Sequence, residues 1–202
     1  MDTRNFRVPF LTKAEIFKKS ELFRAKYWDD TIPVDIEIII DVKLKINIVP
    51  KPELLKLNGI DAYITSDWRH LVVDNELYNA DNNRLRFSYA HEIGHFILHK
   101  NLYEQFGIKN SEDIRKFYNE LPGDQHHYIE AQAHIFANYL LIPRNKLLEI
   151  RQKMISKFLA DNSIDVSKID SKTLNEYLAG PIAKYFGVSY APIEIALSDL
   201  NK

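Results

Sequence analysis

The spacing of apolar residues divides the chain into a mixed amino-terminal part and a helical remainder. From Lys13 to Trp28, apolar residues recur at helical spacing and predict an amphipathic helix, with Thr12 and Glu15 as a capping box at its start. From Val34 to Val42, an isoleucine-rich run after Pro33 fits either a second helix or a strand. The pattern alone leaves those two alternatives open.

Three short extended stretches follow. They cover Ile46 to Val49, Ile60 to Ser66, and His70 to Val73. The polar residues from Ser66 to Arg69 are typical of a hairpin tip, which would join the last two stretches. We therefore expect a small antiparallel sheet of about three strands.

Helical periodicity dominates the chain after Asp81, which is a predicted helix cap. A polar stretch from Asp161 to Ser171 predicts a short linker. A small sheet followed by a mainly helical carboxy-terminal half gives an α+β fold class. The predicted helices, in chain order, are Asn83 to Leu98, Ser111 to Glu120, Gln125 to Leu141, Arg144 to Leu159, Ser171 to Tyr185 and Ser189 to Leu200.

Composition narrows the classes of function. The chain has 202 residues and a mass of 23.7 kDa, which suits one domain or one domain with a small appendage. Its 27 basic and 28 acidic residues give a net charge of −1, so bulk charge would not hold a nucleic acid. There is no cysteine, which excludes disulfides, thiolate metal sites and a cysteine nucleophile. The six glycines form none of the common phosphate-binding loops.

The sequence also predicts where the protein works. The residues from Met1 to Arg7 lack the apolar core of a signal peptide. The longest uncharged run, from Ala131 to Pro143, is too short to cross a bilayer. We therefore expect a cytoplasmic protein that makes no use of a membrane.

The histidines carry the strongest chemical signal, because six of the seven lie between His91 and His134. Residues 91–95 read H-E-x-x-H within a predicted helix. On a helix, His91 and His95 lie one turn apart on one face, so both imidazoles can reach one metal ion. Glu92 lies next to the first histidine and can take a proton from a water molecule.

A catalytic zinc needs a third protein ligand and an open position for water. Glu130 is the best carboxylate candidate, because it lies in an alanine-rich helical stretch. Small residues would let that helix approach the Gly94 face of the motif helix closely. The alternative interpretation is a solvent-facing glutamate on an amphipathic helix.

These motifs resemble those of a known family, the ImmA/IrrE metallopeptidases. The motif His91-Glu92-Ile93-Gly94-His95, its lead-in Arg86 to Ala90 and the following Leu98-His99 are similar to that family's active helix. A second signature, a glutamate helix that ends in Leu-Leu-x-Pro, is matched by Glu130, Ala133, Phe136, Ala137, Leu140, Leu141 and Pro143. The likeness covers roughly residues 7 to 145.

The resemblance implies a zincin-like domain over residues 1–145 and a helical subdomain over 146–202. It also implies a gluzincin-like, zinc-dependent endopeptidase with His91, His95 and Glu130 as metal ligands and Glu92 as the catalytic base. Family members typically cleave a helix-turn-helix repressor, which releases phage, mobile-element or stress genes. Zinc suits a ligand set of two histidines and a glutamate, although manganese or iron could occupy it.

One residue departs from the family pattern. The position of His134 usually carries an aspartate or asparagine, which would accept a hydrogen bond from a ligand histidine. His134 could instead accept through one nitrogen, donate to the substrate oxyanion, or pack at the helix interface.

The other histidines of this region need separate interpretations. His99 lies about 12 Å of helix rise from His91, so we expect it to support the ligands or pack rather than bind the same ion. His126 and His127 are expected in a solvated loop before the ligand helix, with the alternative that one lines the cleft.

Near the carboxy terminus, Ala183, Gly187 and Ile193 have the spacing of a helix-turn-helix. The helix that would read DNA, Ser189 to Leu200, has no lysine or arginine and contains Glu194. Such a helix would repel phosphates. We expect this motif to serve structure or a protein partner, without direct nucleic-acid binding.

Two functions of different classes therefore remain. The first is a regulatory zinc endopeptidase that acts on a helix-turn-helix repressor. The second is a non-catalytic, metal-containing sensor or protein-interaction module. Glu92 favours the first, because a structural metal site has no need of a base beside its ligand.

Overall fold

The structure is a computed structural model that describes residues 7–80, 83–160 and 169–200. The predicted cap at Asp81 and most of the predicted linker from Asp161 to Ser171 lie outside these residues. Within them, no helix is both long and apolar enough to cross a membrane.

The amino-terminal part begins with helix α1, Lys13–Tyr27, whose first turn carries the predicted capping box between Thr12 and Glu15. The isoleucine-rich run forms a short helix α2, Ile36–Ile38, which continues as a π-helical turn over Ile39–Lys43. The helical alternative for this segment is thus confirmed. Its isoleucines at 36, 39 and 40 are buried, which is the i, i+3, i+4 spacing of a helix face packed on a core.

Among the described residues the sheet has three strands, β1 (Asn47–Lys51), β2 (Ala62–Ile64) and β3 (His70–Asp74), in the order β1-β3-β2. The α+β class and the number of strands are confirmed, and β2 pairs antiparallel with β3 through the predicted hairpin. The prediction of a wholly antiparallel sheet is wrong for β1, which runs parallel to β3. A helix, α3 (Leu54–Asn58), separates β1 from β2, and this connection leaves room for β3 to insert between them.

All six helices predicted after residue 81 are present, with ends shifted by a few residues at most. The short helices α3, α4 (Asn75–Asn79) and α6 (Lys100–Phe106) were not predicted, because five to seven residues span too few turns to show a period. The helices after the sheet are α4 (Asn75–Asn79), α5 (Asn83–Leu98), α6 (Lys100–Phe106), α7 (Ser111–Glu120), α8 (Gly123–Leu141), α9 (Arg144–Ala160), α10 (Ser171–Phe186) and α11 (Tyr190–Asp199).

Helices α5 and α8 form the centre of the molecule, and a glycine sets their separation. A Cβ atom added at Gly94 would lie 3.0 Å from both the Cα and the carbonyl oxygen of Ala133. This distance is tighter than nine in ten contacts of real Cβ atoms, so the two backbones pack directly against each other at this point. The close approach expected from the small residues is therefore present.

The carboxy-terminal helices pack on the same centre. Asn138 of α8 donates from Nδ2 to the carbonyl of Pro192, at 2.8 Å. Arg86 of α5 donates from Nε to the carbonyl of Gly187, at 2.9 Å, in the turn between α10 and α11. The division into residues 1–145 and 146–202 stays a prediction, and these bonds cross it.

Candidate metal centre

The H-E-x-x-H motif lies in the middle of α5, where both histidines are buried. The Nε2 atoms of His91 and His95 are 2.9 Å apart, and the rings meet edge to face. One helical turn therefore brings the two nitrogens to a common point.

Glu130 of α8 faces this point from the other side of the helix pair. Its Oε2 lies 3.3 Å from His91 Nε2, and its Oε1 lies 3.5 Å from His95 Nε2. Ligands of a tetrahedral zinc at roughly 2.0–2.1 Å are about 3.3 Å from one another. The distances of 2.9, 3.3 and 3.5 Å between these two nitrogens and the two carboxylate oxygens are close to that spacing, and the contact between Gly94 and Ala133 makes the approach possible.

The electrostatics of Glu130 also fit a cation. Burial alone would raise the pKa of this carboxyl, but the hydrogen bond with His91 and the neighbouring His95 hold it below the usual range. Its Oε1 is buried and, within the part of the chain that the structure describes, accepts no hydrogen bond. A charged carboxylate oxygen that lies beside an imidazole nitrogen and accepts no hydrogen bond is suited to a metal ion.

Glu92 is buried beside this cluster and is fixed by the sheet. Its Oε2 accepts from the backbone N–H of Ile64 in β2, at 3.0 Å. Burial raises the pKa of Glu92 to about 8, His91 opposes that rise, and the charge of Glu130 adds to it. A carboxyl group with a pKa near neutrality can accept and release a proton at ordinary pH.

His99 contacts the side of His95 that faces away from Glu130. The two Nδ1 atoms are 3.0 Å apart, and His99 Nε2 lies 3.0 Å from Oε1 of Gln132. Gln132 in turn donates from Nε2 to the carbonyl of Pro9, at 2.9 Å. Burial lowers the pKa of His99 to about 4. Gln132 was not predicted from the sequence, although a glutamine next to Ala133 places an amide at the interface of α8 with α5.

His134 lies at the edge of the cluster. Its ring meets that of His91 edge to face at 4.6 Å and packs on Phe87 at 5.5 Å. Ligand atoms of His91, Glu130 and His134 also lie within 4.8 Å of one another. The pKa of His134 is lowered by burial and by His91. The structure places this side chain beside the candidate ligands, and its role stays a prediction.

A cleft of about 630 Å³ opens over these residues. Its walls include Ala62 of β2, Phe87 of α5, and Tyr118 of α7. His126 lines the cleft from within α8 and packs on Tyr118 at 4.5 Å, whereas His127 is exposed. The expected loop for these two histidines is wrong, because α8 already begins at Gly123.

Tyr118 is a second residue that was not predicted from the sequence. Burial raises the pKa of its phenol well above the ordinary value, and the charges of Glu130 and Glu92 add to this effect. The hydroxyl therefore keeps its proton at neutral pH and can donate a hydrogen bond into the cleft. Nothing in the local sequence of α7 distinguishes it, because only the packing of α7 over the cleft brings it near the cluster.

A small sheet beside a helix that carries two histidines, with a glutamate on a facing helix, is the arrangement of a zincin-like domain. The model of the IrrE N-terminal-like domain, Peptidase_M78, matches residues 61–198, and the chain belongs to this family. This match includes the carboxy-terminal helices, which the resemblance seen in the sequence did not cover.

A Mycobacterium tuberculosis transcriptional regulator shares the fold, with a TM-score of 0.52 and 13% sequence identity. The match covers 89% of this chain and 45% of that one, so this chain corresponds to less than half of the regulator. The search of curated proteins gives no match.

Proposed function

We propose that this chain is a zinc-dependent endopeptidase that uses His91, His95 and Glu130 as metal ligands. The observation that supports this most is that both carboxylate oxygens of Glu130 lie within 3.5 Å of the Nε2 atoms of His91 and His95, beside a buried carboxyl group. The family to which the chain belongs supports it as well. Manganese or iron would fit the same donor atoms.

When bound, a zinc ion would polarise the scissile carbonyl and lower the pKa of water. Glu92 supplies the proton transfers. Its Oε2 is held by the N–H of Ile64, which leaves Oε1 to take a proton from the attacking water. The same carboxyl group then gives that proton to the nitrogen of the leaving amine.

The free edge of β2 offers a place for an extended peptide. Backbone hydrogen bonds run from the N–H of Asp74 to the carbonyl of Asp61 and from the N–H of Thr65 to the carbonyl of His70. Residues 61 and 65 are therefore in hydrogen-bonded pairs with β3. By alternation, the N–H and C=O of Ala62 point away from β3 and towards the cleft. A substrate strand paired there would lie with its scissile bond over the candidate ligands.

The proposed substrate is a helix-turn-helix repressor of a phage, a mobile element or a stress response, and the proposed location is the cytoplasm. The likeness of the motifs to ImmA/IrrE metallopeptidases supports this substrate class. Direct binding to nucleic acid is not part of the proposal, because α11 has no lysine or arginine. The competing function, a non-catalytic metal-containing module, would not require the buried Glu92 next to a ligand.

The test is to incubate the zinc-loaded protein with the repressor encoded beside its gene and to identify the cut by mass spectrometry. Glu92→Gln should keep its zinc and lose at least about 100-fold in cleavage rate, because a general base contributes roughly 10²–10⁴. The exposed Glu194→Gln should cleave like the wild type. Bound zinc without cleavage of any protein would favour the non-catalytic module, and Glu92→Gln at the wild-type rate would refute the mechanism.

A further inference from the structure

The chain of hydrogen bonds behind His95 has a direction that elementary chemistry determines. Its far end is the carbonyl oxygen of Pro9, which can only accept. The Gln132 atom that faces Pro9 must therefore be Nε2, which is a donor. The amide oxygen of Gln132 consequently points at His99 Nε2, at 3.0 Å.

The amide oxygen of Gln132 fixes the proton positions on His99. An amide oxygen only accepts, so Nε2 of His99 carries a hydrogen. The ring is buried, and among the described residues no carboxylate lies within the 4.0 Å of an ion pair, so it is neutral. A neutral ring with its hydrogen on Nε2 has a lone pair on Nδ1.

The same reasoning extends to His95. Its Nδ1 lies 3.0 Å from His99 Nδ1, and because the His99 nitrogen has a lone pair, His95 Nδ1 donates a hydrogen to it. A ring that binds a metal through Nε2 is neutral, so with its hydrogen on Nδ1 the lone pair of Nε2 points towards His91 and Glu130. This is the tautomer that a metal ligand at Nε2 must have.

We propose that Gln132 and His99 are positioning residues that hold His95 in its metal-binding tautomer and orientation, with the carbonyl of Pro9 as the fixed end of the chain. This proposal rests on the proposed metal centre. The other ligand has no such support, since Nδ1 of His91 has no hydrogen-bond partner among the described residues. Partners of this kind typically change metal affinity 10–100-fold when removed.

The segment that carries Pro9 is itself attached to the ligand helix. Val8 is buried, and its N–H donates to Oε1 of Gln125, at 2.7 Å. Gln125 and Gln132 lie two turns apart on one side of α8, so two glutamines hold the residues before α1 against the helix that carries Glu130. The segment thereby sets the orientation of Gln132 rather than merely covering it.

The first experiment measures zinc affinity by competition with a chelator, in wild type and three variants. Gln132→Leu removes the acceptor for His99 and should weaken zinc binding about 10–100-fold. Gln132→Glu keeps an acceptor for His99 but loses the donor to the carbonyl of Pro9, so it should recover only part of that loss. Gln152→Leu, on the exposed side of α9, is the matched control and should bind like wild type. Equal affinity of folded Gln132→Leu and wild type would overturn the proposal, whereas a wild type that binds no zinc would instead refute the proposed function.

The second experiment needs no variant. Long-range proton–nitrogen correlation spectra of the histidine rings, recorded on the metal-free wild type, report which nitrogen of each ring carries the hydrogen. We expect the hydrogen on Nδ1 of His95 and on Nε2 of His99. The opposite assignment for either ring would overturn the proposal, even if Gln132→Leu failed to fold.

Discussion

Asp74 shows how one buried carboxylate organises the part of the fold beside the site. It ends β3 and caps α4, and it is 2% exposed. Its Oδ1 accepts from the N–H groups of Glu76 and Leu77, and its Oδ2 accepts from the N–H of Leu55 in α3. Burial alone would raise the pKa of Asp74, but these backbone donors outweigh it and lower the pKa below its ordinary value.

Asp74→Ala should lower the free energy of unfolding by about 2–4 kcal/mol, because three backbone donors lose a charged acceptor. The matched control is Asp170→Ala, which removes an exposed cap of α10 and should cost about 0.5–2 kcal/mol. Denaturant unfolding at neutral pH measures both. If both variants lost the same free energy of unfolding, the buried Asp74 carboxylate would stabilise the fold no more than an exposed helix cap does.

The depressed pKa of Asp74 also gives a pH dependence. A carboxyl group with a lowered folded-state pKa stabilises the fold fully above its unfolded pKa of about 3.9, and this contribution is lost as the pH falls towards the folded value. The difference in stability between wild type and Asp74→Ala should therefore be constant near neutrality and shrink below about pH 4. Urea unfolding of both proteins between acidic and neutral pH measures this difference in stability and shows whether it shrinks as the pH falls.

At the scale of residues, local spacing was enough to select His91, His95 and Glu92, and alanine content selected Glu130. The structure places the candidate ligand atoms of these residues together, while their roles stay predictions. Gln132 and Tyr118 could not be selected, because their meaning depends on contacts between elements far apart in the sequence. A single sequence gives composition and hydrophobic periodicity, and neither of these indicates that the amide of Gln132 contacts the ring of His99.

At the scale of elements, the α5–α8 contact determines whether Glu130 reaches the histidines. Gly94 lies on the inner face of α5, and its backbone packs directly on Ala133. The two nearest atoms, the Cα and the carbonyl oxygen of Ala133, belong to the backbone and cannot rotate away from an added methyl group. A larger residue at this position would push the two helices apart.

Gly94→Ala should therefore lower stability by about 1–3 kcal/mol, as overpacked cores do, and weaken zinc binding as well. Gly123→Ala, in the first turn of α8, is the matched control, because an added Cβ there meets no atom of a non-neighbouring residue within 4 Å. That variant should be neutral or gain up to about 1 kcal/mol from helix propensity. Thermal unfolding and chelator competition measure the two effects, and a stabilised Gly94→Ala with full zinc affinity would refute this role of the glycine.

The elements differ in how far the sequence predicts them. Long amphipathic helices such as α1 and α5 show several periods, so their existence and approximate ends could be predicted. The parallel pairing of β1 with β3 could not, because strand order depends on the path of the connection through α3. The π-helical turn of residues 39–43 could not be predicted either, since its isoleucines suit a strand or a helix.

At the scale of the whole molecule, α5 connects the site to both ends of the chain. Arg86 donates from Nη2 to the carbonyl of Val34, at 2.7 Å, and from Nε to the carbonyl of Gly187. Asn83, one turn earlier, donates to the carbonyl of Val188. The sequence predicted the two carboxy-terminal helices but showed no sign of this attachment, which joins segments about 100 residues apart.

The attachment predicts that residues 146–202 unfold together with the rest of the chain in one transition. Arg86→Ala removes donors to two separated carbonyl groups and should lower the melting temperature by about 4–8 °C, since about 2 kcal/mol corresponds to that shift at this size. The matched control lies two residues earlier. Arg84→Ala breaks an ion pair with Asp61 whose arginine side chain is 60% exposed, and it should lower the melting temperature by less than about 3 °C.

Calorimetry decides between one cooperative unit and two. A single peak that moves as a whole in Arg86→Ala would show that the carboxy-terminal helices share the stability of the zincin-like part, so that a partner bound to α11 could act on the site through α5. Two separate peaks, with only the one for the carboxy-terminal helices shifted, would show instead that the segments before and after residue 145 fold independently.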